Sequence, residues 1–147
     1  MPSKPQRIEV VLETLIESIA FAEEVGVRVA VAGGFDEDDQ YKIGLAVHEA
    51  VMNAFQYGNK QQRERKIHVV FELFPEKLVV HVTDQGTGFH LSDVPDPRTD
   101  ENVLGDSGRG VLLMKAFMDE FDVLVSAAGG AEVVMAKLCR RRISQAS

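Results

Sequence analysis

At 147 residues, with a formal net charge of −7 and a pI near 5.1, the chain has the length of one domain that buries roughly two thirds of its unfolded surface. Its acidic balance argues against a broad nucleic-acid footprint or an anionic membrane surface and suits a protein or nucleotide partner better. Cys139 is the only cysteine, which excludes an internal disulfide framework and fits a reducing cytosol.

The opening MPSKPQR lacks the apolar core of a signal peptide. The most apolar later run, VGVRVAVAGGF, is short and interrupted by Arg28. A soluble, cytoplasmic protein with neither a nucleic-acid nor a membrane partner is expected. The four histidines show no metal-ligand spacing.

Ile8 to Leu12 reads as a short first strand. From about Thr14, the spacing of Leu15, Ile19, Ala22, Val25 or Gly26, and Val29 predicts an amphipathic helix with Glu17, Glu23 and Glu24 on its wet side. The alternation of Val27, Val29 and Val31 also suits a strand, but the period upstream and the Gly33-Gly34 stop favour a continuing helix.

Asp36 then offers an N-cap, and Glu37, Asp38 and Asp39 fall in a first turn where acids complement the helix dipole. This second helix carries HEAVMNAFQYGN. Ile43, Val47, Ala50 and Ala54 stack into one apolar stripe flanked by Ala46, Val51 and Tyr57. Glu49 and Asn53, four apart, project together from the stripe's edge, an oxygen pair that a hard divalent cation prefers. By itself such a pair is an ordinary feature of a solvated helix edge. Gly58-Asn59 ends the helix, and KQQRER reads as an exposed loop.

Ile67 to Glu72 and Leu78 to Thr83 alternate in period two around a Pro75-Glu76 turn, which predicts an antiparallel hairpin. Its second strand ends in DQGTGF. There Gly86 and Gly88 let backbone approach a flat or charged ligand, and the Asp84 carboxylate is placed to read an exocyclic amine such as that of adenine. Residues 90–107 hold Pro95, Pro97 and Gly105 without a sustained apolar period, as a lid would. Gly108-Arg109-Gly110 then opens a helix with Val111, Met114, Phe117 and Met118 on one side. Unpaired N–H groups at such a start favour phosphate, and Arg109 adds a charge. Phe121 to Ser126 and Glu132 to Leu138, joined at Gly129-Gly130, form a closing hairpin, and CRRRISQAS is a polar, basic tail.

The order of the three segments tells more than any one of them. HEAVMNAFQYGN resembles the N box of GHKL ATPases, DQGTGF their first glycine box, and GDSGRGVLLMKAFMDEF the second. The wording AVHEAVMNA and the ending LMKAFMDEF are most similar to the bacterial anti-sigma-factor serine-protein kinases of partner-switching systems. The resemblance covers roughly residues 8–139 of a single domain over 1–147.

This resemblance implies a Bergerat-type fold, an α+β two-layer sandwich of the broad α/β kind, with an antiparallel-rich mixed sheet covered on one face by helices. ATP and Mg²⁺ are its implied cofactors. Carried over by position, Asn53 would hold Mg²⁺ against the phosphates and Glu49 would be the general base. Asp84 would read the adenine amino group, Gly86 and Gly88 would line the base pocket, and Gly108, Arg109 and Gly110 would meet the phosphates. Two positions depart from the family pattern. Gly130-Ala131-Glu132 has no hydroxyl where many relatives carry a threonine near adenine, and Asp106 puts a carboxylate in the phosphate-facing segment.

The implied activity is that of an ATP-dependent serine/threonine protein kinase. It would sequester a sigma factor or similar regulator, phosphorylate a STAS-type antagonist, and form homodimers. The alternative is a nucleotide-gated regulatory module with little turnover, suggested by the two departures. A sensor histidine kinase half is disfavoured, because the first histidine is His48, inside the N-box helix.

Overall fold

The computed structural model describes residues 4–86 and 106–140. The elements run β1 (Gln6–Glu13), α1 (Ile16–Ala32), α2 (Glu37–Asn53), a π-helical turn (Ala54–Gly58), β2 (Lys66–Leu73), β3 (Lys77–Thr83), α3 (Asp106–Phe117), β4 (Glu120–Val125) and β5 (Ala131–Leu138). The strands form one sheet in the order β1-β2-β3-β5-β4. Every neighbouring pair is antiparallel, so the antiparallel-rich sheet expected has no parallel pair among the described residues.

Alternation along the strands divides the sheet into two faces. Ile67, Val69 and Phe71 of β2, Leu78, Val80 and Val82 of β3, and Val133 and Met135 of β5 are all buried. They form one core with Ile43, Val47, Ala50 and Val51 of α2, Ile19, Ala22 and Val29 of α1, and Val111 and Met114 of α3. The helices therefore cover one face, the arrangement of a two-layer α+β sandwich. The other face carries half-buried polar groups, and His81 bridges two carboxylates there, with Nε2 2.8 Å from Glu72 Oε1 and Nδ1 3.3 Å from Glu132 Oε2.

Three boundaries differ from expectation. The first helix begins at Ile16 after a non-capping Leu15, and not at Thr14. Thr14 is buried, and its hydroxyl donates to Arg65 O at 2.5 Å, which ties the end of β1 to the segment leading into β2. That long-range partner wins over a local helix start. The ambiguous end of α1 is helical to Ala32. The second helix is capped as expected, with Asp36 Oδ1 accepting from Asp39 N at 2.8 Å. It closes in a π turn, where Asn59 N donates to Ala54 O five residues back, at 2.7 Å. Extra winding of this kind rotates Tyr57 out of the stripe, and it is 42% exposed. Third, α3 starts at Asp106, so Gly108-Arg109-Gly110 lies inside its opening turns. Gly88 and residues 90–105 of the expected lid lie outside the described residues.

Candidate functional site

Glu49 and Asn53 lie one turn apart near the C-terminal end of α2. Glu49 is half-buried and Asn53 is buried at 7% exposure, so the carboxamide is deeper than a helix-edge position implies. One residue before Glu49, His48 Nδ1 lies 2.7 Å from Glu23 Oε1 of α1, which pins this turn of α2 to its neighbour.

The third helix arrives above this pair. A methyl group built on Gly110 would lie 2.9 Å from Glu49 Oε2, 3.4 Å from Asn53 Nδ2 and 3.6 Å from Asn53 Oδ1. Gly110 thus lets the α3 backbone approach the two polar ends on α2, a juxtaposition of residues distant in sequence. The opening turn of α3 lies beside them, and a helix start of this kind favours anions. Arg109 is exposed on the same turn.

Asp84 follows β3 and is 5% exposed. Its Oδ1 accepts from Gly86 N at 2.9 Å and from Ala131 N at 3.1 Å, and its own N–H donates to Ala131 O at 3.0 Å. One carboxylate oxygen is therefore anchored by backbone, which fixes the orientation of the group. The other oxygen lies against Gly58, where an added methyl would come within 2.1 Å of Oδ2. Gly86 and Gly130 complete the enclosure. A methyl on Gly86 would meet Gly58 O at 2.0 Å, and one on Gly130 would meet Asp84 O at 2.1 Å. Three glycine backbones from three segments thus surround one carboxylate.

This changes the reason for Gly86. Its N–H is taken by Asp84 and its missing side chain makes room for the Gly58 carbonyl, so it shapes the pocket through Asp84 more than by offering a donor. Gly58, Gly130 and the Ala131 backbone belong to the same arrangement but carried no local signal beyond turn composition. Ala131 is buried and exchanges two hydrogen bonds with Asp84. The Asp106 side chain and the whole of Gly88 lie outside the described residues.

A groove of about 570 Å³ opens on the helix-free face of the sheet, lined by His68, Glu72, His81, Gln85 and Glu132 and reaching Asp84 at the end of β3. The sheet separates it from Glu49 and Asn53, and three of its polar side chains, Glu72, His81 and Glu132, pair across strands. Among the described residues, no group of three or more His, Cys, Asp or Glu side chains is placed to hold a metal ion, and no helix is long and apolar enough to cross a membrane.

A helix-borne carboxylate and carboxamide, a glycine-bearing helix start over them, and a backbone-anchored aspartate at a strand end thus stand together in one α+β domain. Comparison with known proteins says which class of domain this is. The histidine kinase-like ATPase domain matches residues 12–137, and the chain belongs to that family, on its branch of serine-protein kinases and anti-sigma factors. A serine-protein kinase RsbW of Bacillus velezensis is 30% identical over 145 residues, covering 93% of this chain and 81% of the relative. One from Bacillus licheniformis is 29% identical over 146 residues, covering 95% and 83%. An anti-sigma F factor of Oceanobacillus iheyensis is 29% identical over 133 residues, covering 82% and 90%. The crystal structure of the RsbU and RsbW domains of a Mycobacterium tuberculosis protein superposes with a TM-score of 0.64 at 18% identity over 90% of this chain. The match spans 32% of that longer chain and shows the shared fold. Family membership implies ATP as the nucleotide.

Proposed function

We propose that this protein is an ATP- and Mg²⁺-dependent serine/threonine protein kinase of the anti-sigma type, acting as a single cytoplasmic domain over 1–147. The observation that carries this reading is the approach of Gly110 to Glu49 and Asn53, which brings a helix start suited to phosphate against a carboxylate and a carboxamide. ATP supplies the transferable phosphoryl group. Asn53 Oδ1 offers an oxygen to Mg²⁺, an ion that keeps several waters and needs only one or two protein ligands, so the absence of a carboxylate cage among the described residues is no obstacle. Glu49 accepts the proton of the attacking serine hydroxyl. Gly108, Arg109 and Gly110 contribute N–H groups and positive charge toward the phosphates, since phosphoryl transfer needs mainly positioning and charge neutralisation. Asp84 receives the adenine amino group, with Gly86 and Gly88 lining the base pocket.

The partners proposed are a sigma factor or equivalent regulator and a STAS-type antagonist, with homodimerisation through the exposed edge of β1. The sigma factor follows from the name of the relative anti-sigma F factor, and the STAS-type antagonist and homodimerisation from the motif resemblance. Incubation with labelled Mg·ATP and a STAS protein encoded nearby tests the kinase reading, with label on the STAS serine or threonine expected.

A second reading is a nucleotide-gated binding module with little turnover. It is favoured by Ala131, which meets Asp84 through its backbone and brings no side-chain hydroxyl of its own. ATP binding without transfer to any STAS partner would select it.

A further inference from the structure

Behind Asp84 lies a second buried carboxamide. Asn59 is fully buried. Its Nδ2 donates to Thr14 Oγ1 at 2.8 Å and to Lys66 O at 3.0 Å, and its Oδ1 accepts from Gln85 N at 2.7 Å. One side chain thus joins the end of β1, the start of β2 and the residue after Asp84. Gln85 returns the connection, its Oε1 accepting from Lys66 N at 2.6 Å.

The backbone around Asn59 is bent to bring the side chain there. Its own N–H closes the π turn on Ala54 O, and Gln61 N reaches back to Phe55 O at 2.8 Å. Lys60 and Gln61 follow with φ of 51° and 58°, a left-handed conformation that costs non-glycine residues free energy. Paired left-handed residues beside a π turn are the kind of local strain held in place by what the segment positions.

The consequence falls on the peptide between Asp84 and Gln85. Oδ1 of Asp84 is held from one side by Gly86 N and Ala131 N, and the Gln85 N–H is held from the other by Asn59. On its far side Asp84 Oδ2 lies against Gly58, so close that an added methyl there would come within 2.1 Å of it. We infer that Asn59 is a positioning residue for the nucleobase end of the site, setting through Gln85 N–H the direction in which Asp84 presents its carboxylate. This rests on the reading of Asp84 as the base-facing group.

The test compares two affinities of the full chain, for Mg·ATP and for inorganic tripolyphosphate, which lacks a base. Asn59→Ser is too short to reach Gln85 N and should weaken ATP by roughly tenfold while changing tripolyphosphate little. Thr14→Val removes Asn59's partner on the β1 side and leaves Gln85 alone, so it should lower Tm with the ratio of affinities unchanged. Equal ratios in both variants and wild type, with Asp84→Asn shifting the ratio, would overturn the positioning role alone. A ratio unmoved by Asp84→Asn would remove the base reading of Asp84 and this inference with it. Where Asn59→Ser does not fold, the Gln85 amide decides. In nucleotide-free wild type it should be protected from hydrogen exchange like the strand amides, and exchange at the rate of an open loop would overturn the proposal.

Discussion

Gly110 of α3 stands against Glu49 of α2, close enough that a methyl on its Cα would lie 2.9 Å from Oε2. The atom in the way is the end of a flexible side chain, so Gly110→Ala has an inexpensive escape, namely displacement of the carboxylate. Folding should change by less than about 1 kcal/mol. Phosphate transfer should fall by roughly 10²-fold, because about 1 Å of misplacement at a reacting group has that effect. Thermal melts beside transfer rates check it, and wild-type transfer in Gly110→Ala would detach the helix contact from the chemistry.

Asn53 is buried, so removing its carboxamide affects the fold as well as the nucleotide. Asn53→Ala should lose about 1 kcal/mol of stability. Wild type, at Mg·ATP a hundredfold above its Kd, should gain about 2.7 kcal/mol, and most of that gain should vanish in the variant. The Mg²⁺-dependent part of the thermal shift is the informative quantity, and an undiminished shift would move the metal to another residue.

Gly58 tests whether the enclosure of Asp84 matters. Its backbone is not left-handed, so Gly58→Ala is opposed by space and not by backbone conformation. The methyl would press on Asp84 Oδ2, a group that cannot retreat because Gly86 N and Ala131 N hold its partner oxygen. A loss of about 1–3 kcal/mol is expected from overpacking, with ATP weakened more than tripolyphosphate. Denaturant titration and competition binding separate the two effects, and equal weakening of both ligands would place Asp84 away from the base.

What the sequence made legible follows from how local each signal is. The stripe of Ile43, Val47 and Ala50 and the two hairpins are written in periods of 3.6 and two, and they fold as read. Thr14 was expected to start a helix because its partner Arg65 lies 51 residues away. Tyr57 was placed beside the core because a slip from α to π winding leaves no mark on apolar spacing. Glu49, Asn53 and Asp84 could be singled out by residue type. The contacts that define their surroundings, Gly110 on Glu49 and Gly58 on Asp84, join separate segments and appear only once the chain is folded.

The Glu13–Arg63 pair gives a pH signature outside the site. Arg63 Nε donates to Glu13 Oε2 at 2.6 Å, and that hydrogen bond, followed by the charge of Arg63, holds the Glu13 carboxyl below its usual range. A depressed folded-state pKa contributes stability above the unfolded pKa and loses it as pH falls through the folded one. Because the pair is exposed, the contribution is small. Glu13→Gln should therefore lower the urea midpoint slightly at pH 7, with the difference closing as pH falls from the ordinary glutamate range downward. A difference that persists in acid would make Glu13 a packing residue and not an ionic one.

Glu49→Gln separates the kinase from the gated module. The substitution keeps the side chain's shape under Gly110 and beside Asn53, so nucleotide binding and binding to a sigma factor should survive. It removes the carboxylate that would take the serine proton, and transfer to the STAS partner should fall by roughly 10²–10⁴-fold, the span of a positioned general base. Single-turnover transfer with saturating Mg·ATP reads the chemical step apart from binding. Transfer at the wild-type rate would end the assignment of Glu49 as base. If wild type binds ATP and a sigma factor yet transfers nothing, the carboxylate serves the nucleotide switch, and Glu49→Gln should then alter how strongly ATP changes partner affinity.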